Sequence, residues 1–207
     1  VTKHADDDAP IETRHLPPRT AEGICEAFRE TGCEPFLYVA DGDACRLLHH
    51  PSPDNPALAR YLAANGSVCE PGADLIDAVN GARILHVVAI ESSDRVRRAL
   101  ETLPDLPGAR LMTSGGLYGG EYWFLEAIHP DASKVAALTA VAGGWGLSLD
   151  DTLAIGDNLN DLDMLAAVGC GVAMGNAPET VKAVADRVTA TNDAEGVALA
   201  LAEFTTR

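Results

Sequence analysis

Residues 152–161 read Thr-Leu-Ala-Ile-Gly-Asp-Asn-Leu-Asn-Asp, a short apolar run that passes directly into a loop of carboxylates and amides. Such a run, Thr152 to Ile155, predicts a strand buried in a parallel sheet, where both faces are covered. Gly156 lets the backbone turn closely. Asp157 and Asp161 follow at the carboxyl end of the strand, where open α/β sheets gather their ligands. Two carboxylates brought to one place repel unless a cation or a cationic side chain lies between them. Hard oxygen ligands with few histidines favour Mg2+ over zinc. A plainer reading uses the same residues: Asn158 or Asn160 caps a helix over 159–167, with Asp161 and Asp163 complementing its dipole.

The net charge of −16 opposes binding to nucleic acid or to an anionic membrane. A phosphate site in so acidic a chain needs local positive charge, and lysine occurs only at 3, 134 and 182. Lys134 opens an Ala-rich helical stretch running to Trp145, with Ser133 or Asp131 as its N-cap. The helix dipole disfavours a cation in the first turn, and a solvated surface lysine is the ordinary reading there. No apolar run approaches a membrane span and no signal peptide is visible. The cysteines at 25, 33, 45, 69 and 170 form no C-x-x-C pair, which predicts free thiols and a cytoplasmic setting. With 47% apolar residues, 207 residues suffice for one large domain or two small ones.

Upstream, the pattern becomes hairpin-like. An amphipathic helix covers Thr20 to Thr31, Pro35 to Ala40 is a strand, Asp41-Gly42-Asp43 a turn, and Ala44 to His49 the return strand. Asp54 or Asn55 with Pro56 starts a short helix ending near Gly66. Arg83 to Ile90 reads as a strand, Ser93 to Leu103 as a helix capped by Ser92 or Ser93. Arg110 to Ser114 and Glu121 to Ile128 read as a strand pair joined by a Gly-rich loop at 115–120. That loop, with Tyr118, is either a substrate-reading element or a plain connection. Alternation puts Tyr122, Phe124 and Glu126 on one face of the last strand and Trp123, Leu125 and Ala127 on the other. His86, in an apolar strand, reads as a core or surface histidine rather than a ligand.

Gly156-Asp157-Asn158-Leu159-Asn160-Asp161, then Met164-Leu165, then Gly171 to Ala177, closely resemble the fourth motif and trailing strand of haloacid dehalogenase-like (HAD) phosphatases, most of all the Cof-type subfamily. Ala190 to Asp193 with Gly196-Val197 is similar to that subfamily's last loop and helix. The likeness is specific over 129–207 and looser over 15–128. It implies an α/β fold: the C-terminal part of a Rossmann-like HAD core, a parallel sheet flanked by helices, plus a large α/β cap domain with a mostly antiparallel sheet. Residues 1–18 would form a core hairpin and linker with Asp6-Asp7-Asp8 as a charged turn, 19–127 the cap, and 128–207 the core.

The resemblance also implies an activity, that of a Mg2+-dependent phosphatase acting on small phosphomonoesters through an aspartyl-phosphate. Lys134 matches the third motif and would neutralise the nucleophile and the phosphoryl group, although Asp131 and Val135 stand where the family usually has small or glycine residues. Asp157 would complete the Mg2+ site, with Asp161 beside it in a water-mediated or outer position; both count as catalytic and metal residues. Asn160 and Asn176 would bind phosphate, and Asn192 lies on a neighbouring loop. The family's Asp-x-Asp-x-Thr nucleophile motif and its Ser or Thr normally precede the cap, and this sequence aligns beyond both. An N-terminal segment is therefore expected outside it, leaving the strand at 152–155 with an open edge. The one Asp-x-Asp after an apolar run, Asp41-Gly42-Asp43, lacks a motif threonine at Ala44 or Cys45 and reads as a hairpin turn. Alternative readings are a phosphomutase of the same superfamily and a non-catalytic ligand-binding module. The expected partner is a small phosphorylated metabolite, without nucleic acid or membrane, the fold being completed by the further segment or by a homo-oligomer.

Overall fold

In chain order, β1 (Thr2–His4) and β2 (Asp7–Glu12) precede α1 (Pro18–Glu30), and β3 (Pro35–Asp41) turns into β4 (Ala44–His49). Next come α2 (Pro56–Ala64), β5 (Cys69–Pro71), α3 (Leu75–Val79), β6 (Arg83–Ser92), α4 (Ser93–Thr102), β7 (Arg110–Leu117) and β8 (Tyr122–Ile128). The chain continues through α5 (Lys134–Gly144), β9 (Leu153–Gly156), α6 (Leu162–Ala167), β10 (Cys170–Ala173), α7 (Glu179–Lys182), β11 (Arg187–Val188) and α8 (Gly196–Thr205). This computed structural model describes residues 2–4, 7–42, 44–51, 53–72, 74–118 and 120–205, with the backbone alone at 2–4, 7–11 and 205. Two compact units result: residues 1–6 with 133–207, and residues 7–132. Among the described residues no helix is long and apolar enough to cross a membrane.

The 7–132 unit is built on a six-stranded sheet of order β5-β4-β3-β6-β8-β7, antiparallel except where β5 joins β4. Side chains alternate across a pleated strand, so each face is read as every second residue. One face, with Leu37, Val39, Val87, Ala89, Leu125 and Ala127, packs in a single core with Ala21, Ile24, Cys25 and Phe28 of α1. The spacing of those α1 residues, i, i+3, i+4 and i+7, makes one apolar stripe. The other face gives Phe36, Leu47, Val88 and Ile90 to a second core with Ala57, Leu58 and Leu62 of α2. Asn55 caps α2, its side chain accepting from the amides of Ala57 and Leu58, and Ser92 caps α4 by accepting from that of Arg95.

Some local expectations need correcting. β7 runs through Leu117, so Gly115, Gly116 and Leu117 belong to the strand and not to the loop. Gly115 pairs with Trp123, and a Cβ there would lie 2.5 Å from the indole ring; the glycine admits the ring. Tyr118 follows at φ 51°, with the Arg60 guanidinium 4.0 Å over its ring. Asp7 and Asp8 open β2 instead of a charged turn, because extended pairing wins there over turn propensity. Asp6, Asp43 and Gly119 lie outside the described residues. β5 and α3 are too short to have left a periodic signal.

On the face that α2 covers, burial pushes the imidazole of His86 down from its ordinary 6.5 to about 4. The unfolded chain thus takes up a proton near pH 6.5 that the folded chain refuses until near pH 4. The stability linked to His86 is complete above pH 6.5 and falls as the pH drops, by about 3 kcal/mol at pH 4. Glu126, raised by burial, tilts the opposite way at the acid end, and Tyr38 does not titrate in this window. Urea midpoints between pH 7.5 and 4.5 should therefore fall more steeply for the wild type than for His86→Phe; parallel slopes would contradict the assignment.

The unit formed by 1–6 and 133–207 carries a parallel sheet of order β11-β10-β9. Its core gathers Ala154, Leu165, Ala173, Ala177 and Val181, with Leu162, Met164 and Val168 packed beside them. Among the described residues β9 pairs with β10 alone, leaving its other edge open. Ser133, not Asp131, caps α5, its hydroxyl accepting from the Ala136 amide at 3.0 Å. The helix expected over 159–167 divides into a 3-10 turn, Leu159–Asp161, and α6.

Candidate active site

At its carboxyl end β9 delivers Gly156 and Asp157, and the chain folds back so tightly that a Cβ on Gly156 would lie 2.5 Å from the Cβ of Asp161. Only glycine fits that approach. Asn158 caps the following turn, its side chain accepting from the Leu159 amide at 2.7 Å. Asp161 closes the loop: its Oδ2 accepts from the amides of Asp157 and Asn158, both at 3.0 Å. Its Oδ1 accepts from Nζ of Lys134, in the first turn of α5. The Asp161 carboxylate therefore links the Lys134 ammonium to the backbone of the 157–158 loop.

Asp161 is buried, with a side chain 6% exposed, while that of Lys134 is 49% exposed. Burial pushes the Asp161 carboxyl up, but the Lys134 ammonium and the two backbone amides outweigh it and hold the group below its ordinary range. Because both oxygens of Asp161 are engaged, it orients Lys134 and braces the loop, and the exposed Asp157 is the carboxylate turned to solvent. Asn176, just after β10, donates from Nδ2 to Oδ2 of Asp157 at 3.3 Å and accepts from the Asn192 amide at 3.0 Å. Its side chain thus ties the 157, 176 and 192 loops together. The Oδ1 of Asn160 is buried without a hydrogen-bond partner.

The sites expected from the sequence divide accordingly. Lys134, Asp157, Asp161 and Asn176 are joined by hydrogen bonds; Asn160 lies in the same loop; Asn192 enters through its backbone. Asp41 belongs to the other unit, where it pairs across the β3–β4 hairpin with Ala44 and meets Arg46 at 3.2 Å. Asn176 bears on Asp157 in a way spacing alone does not indicate, since the two stand 19 positions apart. Removing it in Asn176→Ala should free the Asp157 side chain and untie the 192 loop, with a stability change below about 1 kcal/mol. Amide hydrogen exchange at Asn192 beside a thermal melt checks this; unaltered exchange would show the link to be idle.

The lysine and the carboxylate loop lie at the carboxyl ends of the strands of a parallel α/β sheet, where such sheets bind their ligands. The chain matches the haloacid dehalogenase-like hydrolases over residues 1–201 and belongs to that family. The phosphatase YwpJ of Bacillus subtilis is 55% identical over 67 residues, 32% of this chain and 24% of the relative. From the same organism, the 5-amino-6-(5-phospho-D-ribitylamino)uracil phosphatase YitU is 42% identical over 80 residues, 39% of this chain and 30% of the relative. The match thus spans under a third of these curated relatives' length. In fold, a haloacid dehalogenase-like hydrolase from Bacteroides thetaiotaomicron superposes with a TM-score of 0.71 at 24% identity, covering 92% of this chain and 68% of that one.

Proposed function

We propose that Lys134, Asp157 and Asp161 form the phosphate- and Mg2+-binding half of a phosphatase centre acting on small phosphomonoesters. The observation that carries the reading is the hydrogen bond from Lys134 to the buried Asp161, which fixes an ammonium at the loop that bears the exposed Asp157. Lys134, Asp157 and Asp161 together carry one net negative charge, which would repel a phosphate dianion, so a divalent cation is needed to complete the site. Among the described residues no three His, Cys, Asp or Glu side chains gather into a metal cluster. The oxygen chemistry suits Mg2+, which commonly takes only one or two carboxylates, and Asp157 is the one free to hold it. Bound there, the ion would neutralise charge on the phosphoryl oxygens.

The residues of this chain then have distinct tasks. Lys134 holds a phosphoryl oxygen, Asp161 aims Lys134 and rigidifies the loop, and Asn176 fixes the rotamer of Asp157. Asn160, whose buried Oδ1 has no partner, would bind phosphate from the same loop. In the proposed chemistry a carboxylate oxygen of an aspartate outside this cluster bonds to phosphorus as the ester P–O bond breaks, and the leaving oxygen takes a proton. Water then hydrolyses the aspartyl-phosphate. The substrate would be a small phosphorylated metabolite, and the five free thiols support a cytoplasmic setting. The test is hydrolysis of p-nitrophenyl phosphate with Mg2+ by the 207-residue chain, alone and joined to an N-terminal segment that carries an Asp-x-Asp nucleophile motif. Activity that disappears in Asp157→Ala and in Lys134→Ala supports the reading, and activity surviving both would overturn it.

A further inference from the structure

Asn-Gly occurs at 65–66 and again at 80–81. The pair is chemically fragile, because glycine has no Cβ to hinder its own amide nitrogen from reaching Cγ of the asparagine. Sequence does not separate the two: each asparagine ends a short helix, and each glycine precedes a small residue. The fold separates them. Asn65, at the end of α2, is half-buried and held by its side chain and by both backbone groups. Its Nδ2 donates to the Tyr61 carbonyl at 2.8 Å, and its own carbonyl accepts from the Val68 amide and from Sγ of Cys69, each at 3.1 Å. Its N–H is shared between the carbonyls of Leu62 and Tyr61, at 3.1 and 3.2 Å.

Asn80, at the end of α3, is exposed together with Gly81. Its contacts lie beyond the usual hydrogen-bond range: Nδ2 donates to the Ile76 carbonyl at 3.4 Å, and its N–H to that of Asp77 at 3.3 Å. The Gly81 amide, the group that must become free, donates to the Ala78 carbonyl at 3.3 Å. With five residues, α3 is too short to hold its last turn by itself. No heavy atom lies within 4 Å of where a Cβ on Gly81 would stand, whereas one on Gly66 would meet the Ala63 and Leu62 carbonyl oxygens at 3.8 and 3.9 Å. Local opening is therefore easier at 80–81.

We propose that Asn80-Gly81 is a site of spontaneous deamidation, selected by the fold and not by the dipeptide, and that Asn65-Gly66 is protected. The Gly81 nitrogen bonds to Cγ of Asn80 and gives up its proton, the Cγ–Nδ2 bond breaks, and the NH2 group leaves with that proton as ammonia. Water then opens the cyclic imide at one or other carbonyl, leaving aspartate or isoaspartate at 80. Either product adds a carboxylate to an already acidic chain. Isoaspartate also lengthens the backbone by one CH2 between Val79, fully buried in the core beside α1, and the start of β6. The change belongs to the 7–132 unit and stands apart from the phosphoryl reading.

The test is incubation of the 207-residue chain in mildly alkaline buffer, native and in guanidinium chloride, followed by trypsin and tandem mass spectrometry. Trypsin releases 61–83 as one peptide, so both asparagines are counted in the same fragment. In the native chain conversion at 80 should outrun that at 65 at least about tenfold, because more and shorter hydrogen bonds must open at 65. In denaturant the two rates should converge. Gly81→Ala, whose methyl meets open space in the fold, should slow conversion at 80 by hindering ring closure. Equal native rates, faster conversion at 65, no native conversion at 80, or the same ratio in denaturant would overturn the proposal. So would an undiminished rate in Gly81→Ala, and the wild-type ratio decides by itself.

Discussion

Asp161→Asn is expected to be among the most damaging near-isosteric changes in this chain. Each oxygen of Asp161 already has donors: the Lys134 ammonium on one side, the amides of Asp157 and Asn158 on the other. An asparagine keeps the shape but must turn its NH2 toward one of those donor sets, where it can accept nothing. It also removes the charge that the buried site is built around. The loss should be about 2–4 kcal/mol in the 133–207 unit, in the range for an uncompensated group in a buried, charge-assisted network. On the proposed phosphatase reading, hydrolysis of a phosphomonoester should fall at least about a hundredfold, since Lys134 is no longer aimed. Lys134→Ala makes the useful contrast. That side chain is half exposed, so water can replace much of what Asp161 loses, and the stability change should be the smaller of the two even though activity falls as far. Denaturant melts in a Trp123→Phe background, read on Trp145, together with steady-state rates, check both. Equal stability losses in the two variants would show that burial of Asp161 is not what sets the cost.

How much of this was legible in the sequence depends on the reach of each signal. The loop at 156–161 could be read because its chemistry is local: strand, glycine and carboxylates lie within six positions, and the capping geometry repeats over the same residues. The pairing of Lys134 with Asp161 spans 27 positions and was reached only through the likeness to a family. The tie from Asn176 to Asp157 was out of reach, since both residues are exposed and nothing in their neighbourhoods specifies the rotamer that joins them. The 115–120 segment misled for a definite reason. Glycine pairs ordinarily mark loops, but Gly115 is small to admit Trp123 across the strand pair, a requirement written eight residues away.

Gly171→Ala should destabilise the 133–207 unit as severely, by a different route. Gly171 sits in β10 opposite Ala154 of β9. A Cβ there would lie 2.2 Å from the carbonyl oxygen of Leu165 and 3.0 Å from its carbonyl carbon. Those are backbone atoms of α6, so no rotamer change relieves the clash, and the helix must lift off the sheet. The Gly171 amide also donates to Oδ2 of Asp186 at 2.8 Å, and its carbonyl accepts from the Asp186 amide at 2.9 Å. Moving the strand instead would strain both bonds. With neither partner free to give, one added methyl should cost about 3 kcal/mol or more, at or beyond the upper range for overpacking. Leu165 is 1% exposed, so any retreat of α6 also opens the apolar core of the unit. The Trp145 transition should then move to clearly lower urea, while the Trp123 transition of the 7–132 unit, read in a Trp145→Phe background, should keep its midpoint. Ala at 171 with an unmoved Trp145 midpoint would mean that α6 is not pinned to β10 as described, and the rigidity assigned to the 156–161 loop would lose its foundation.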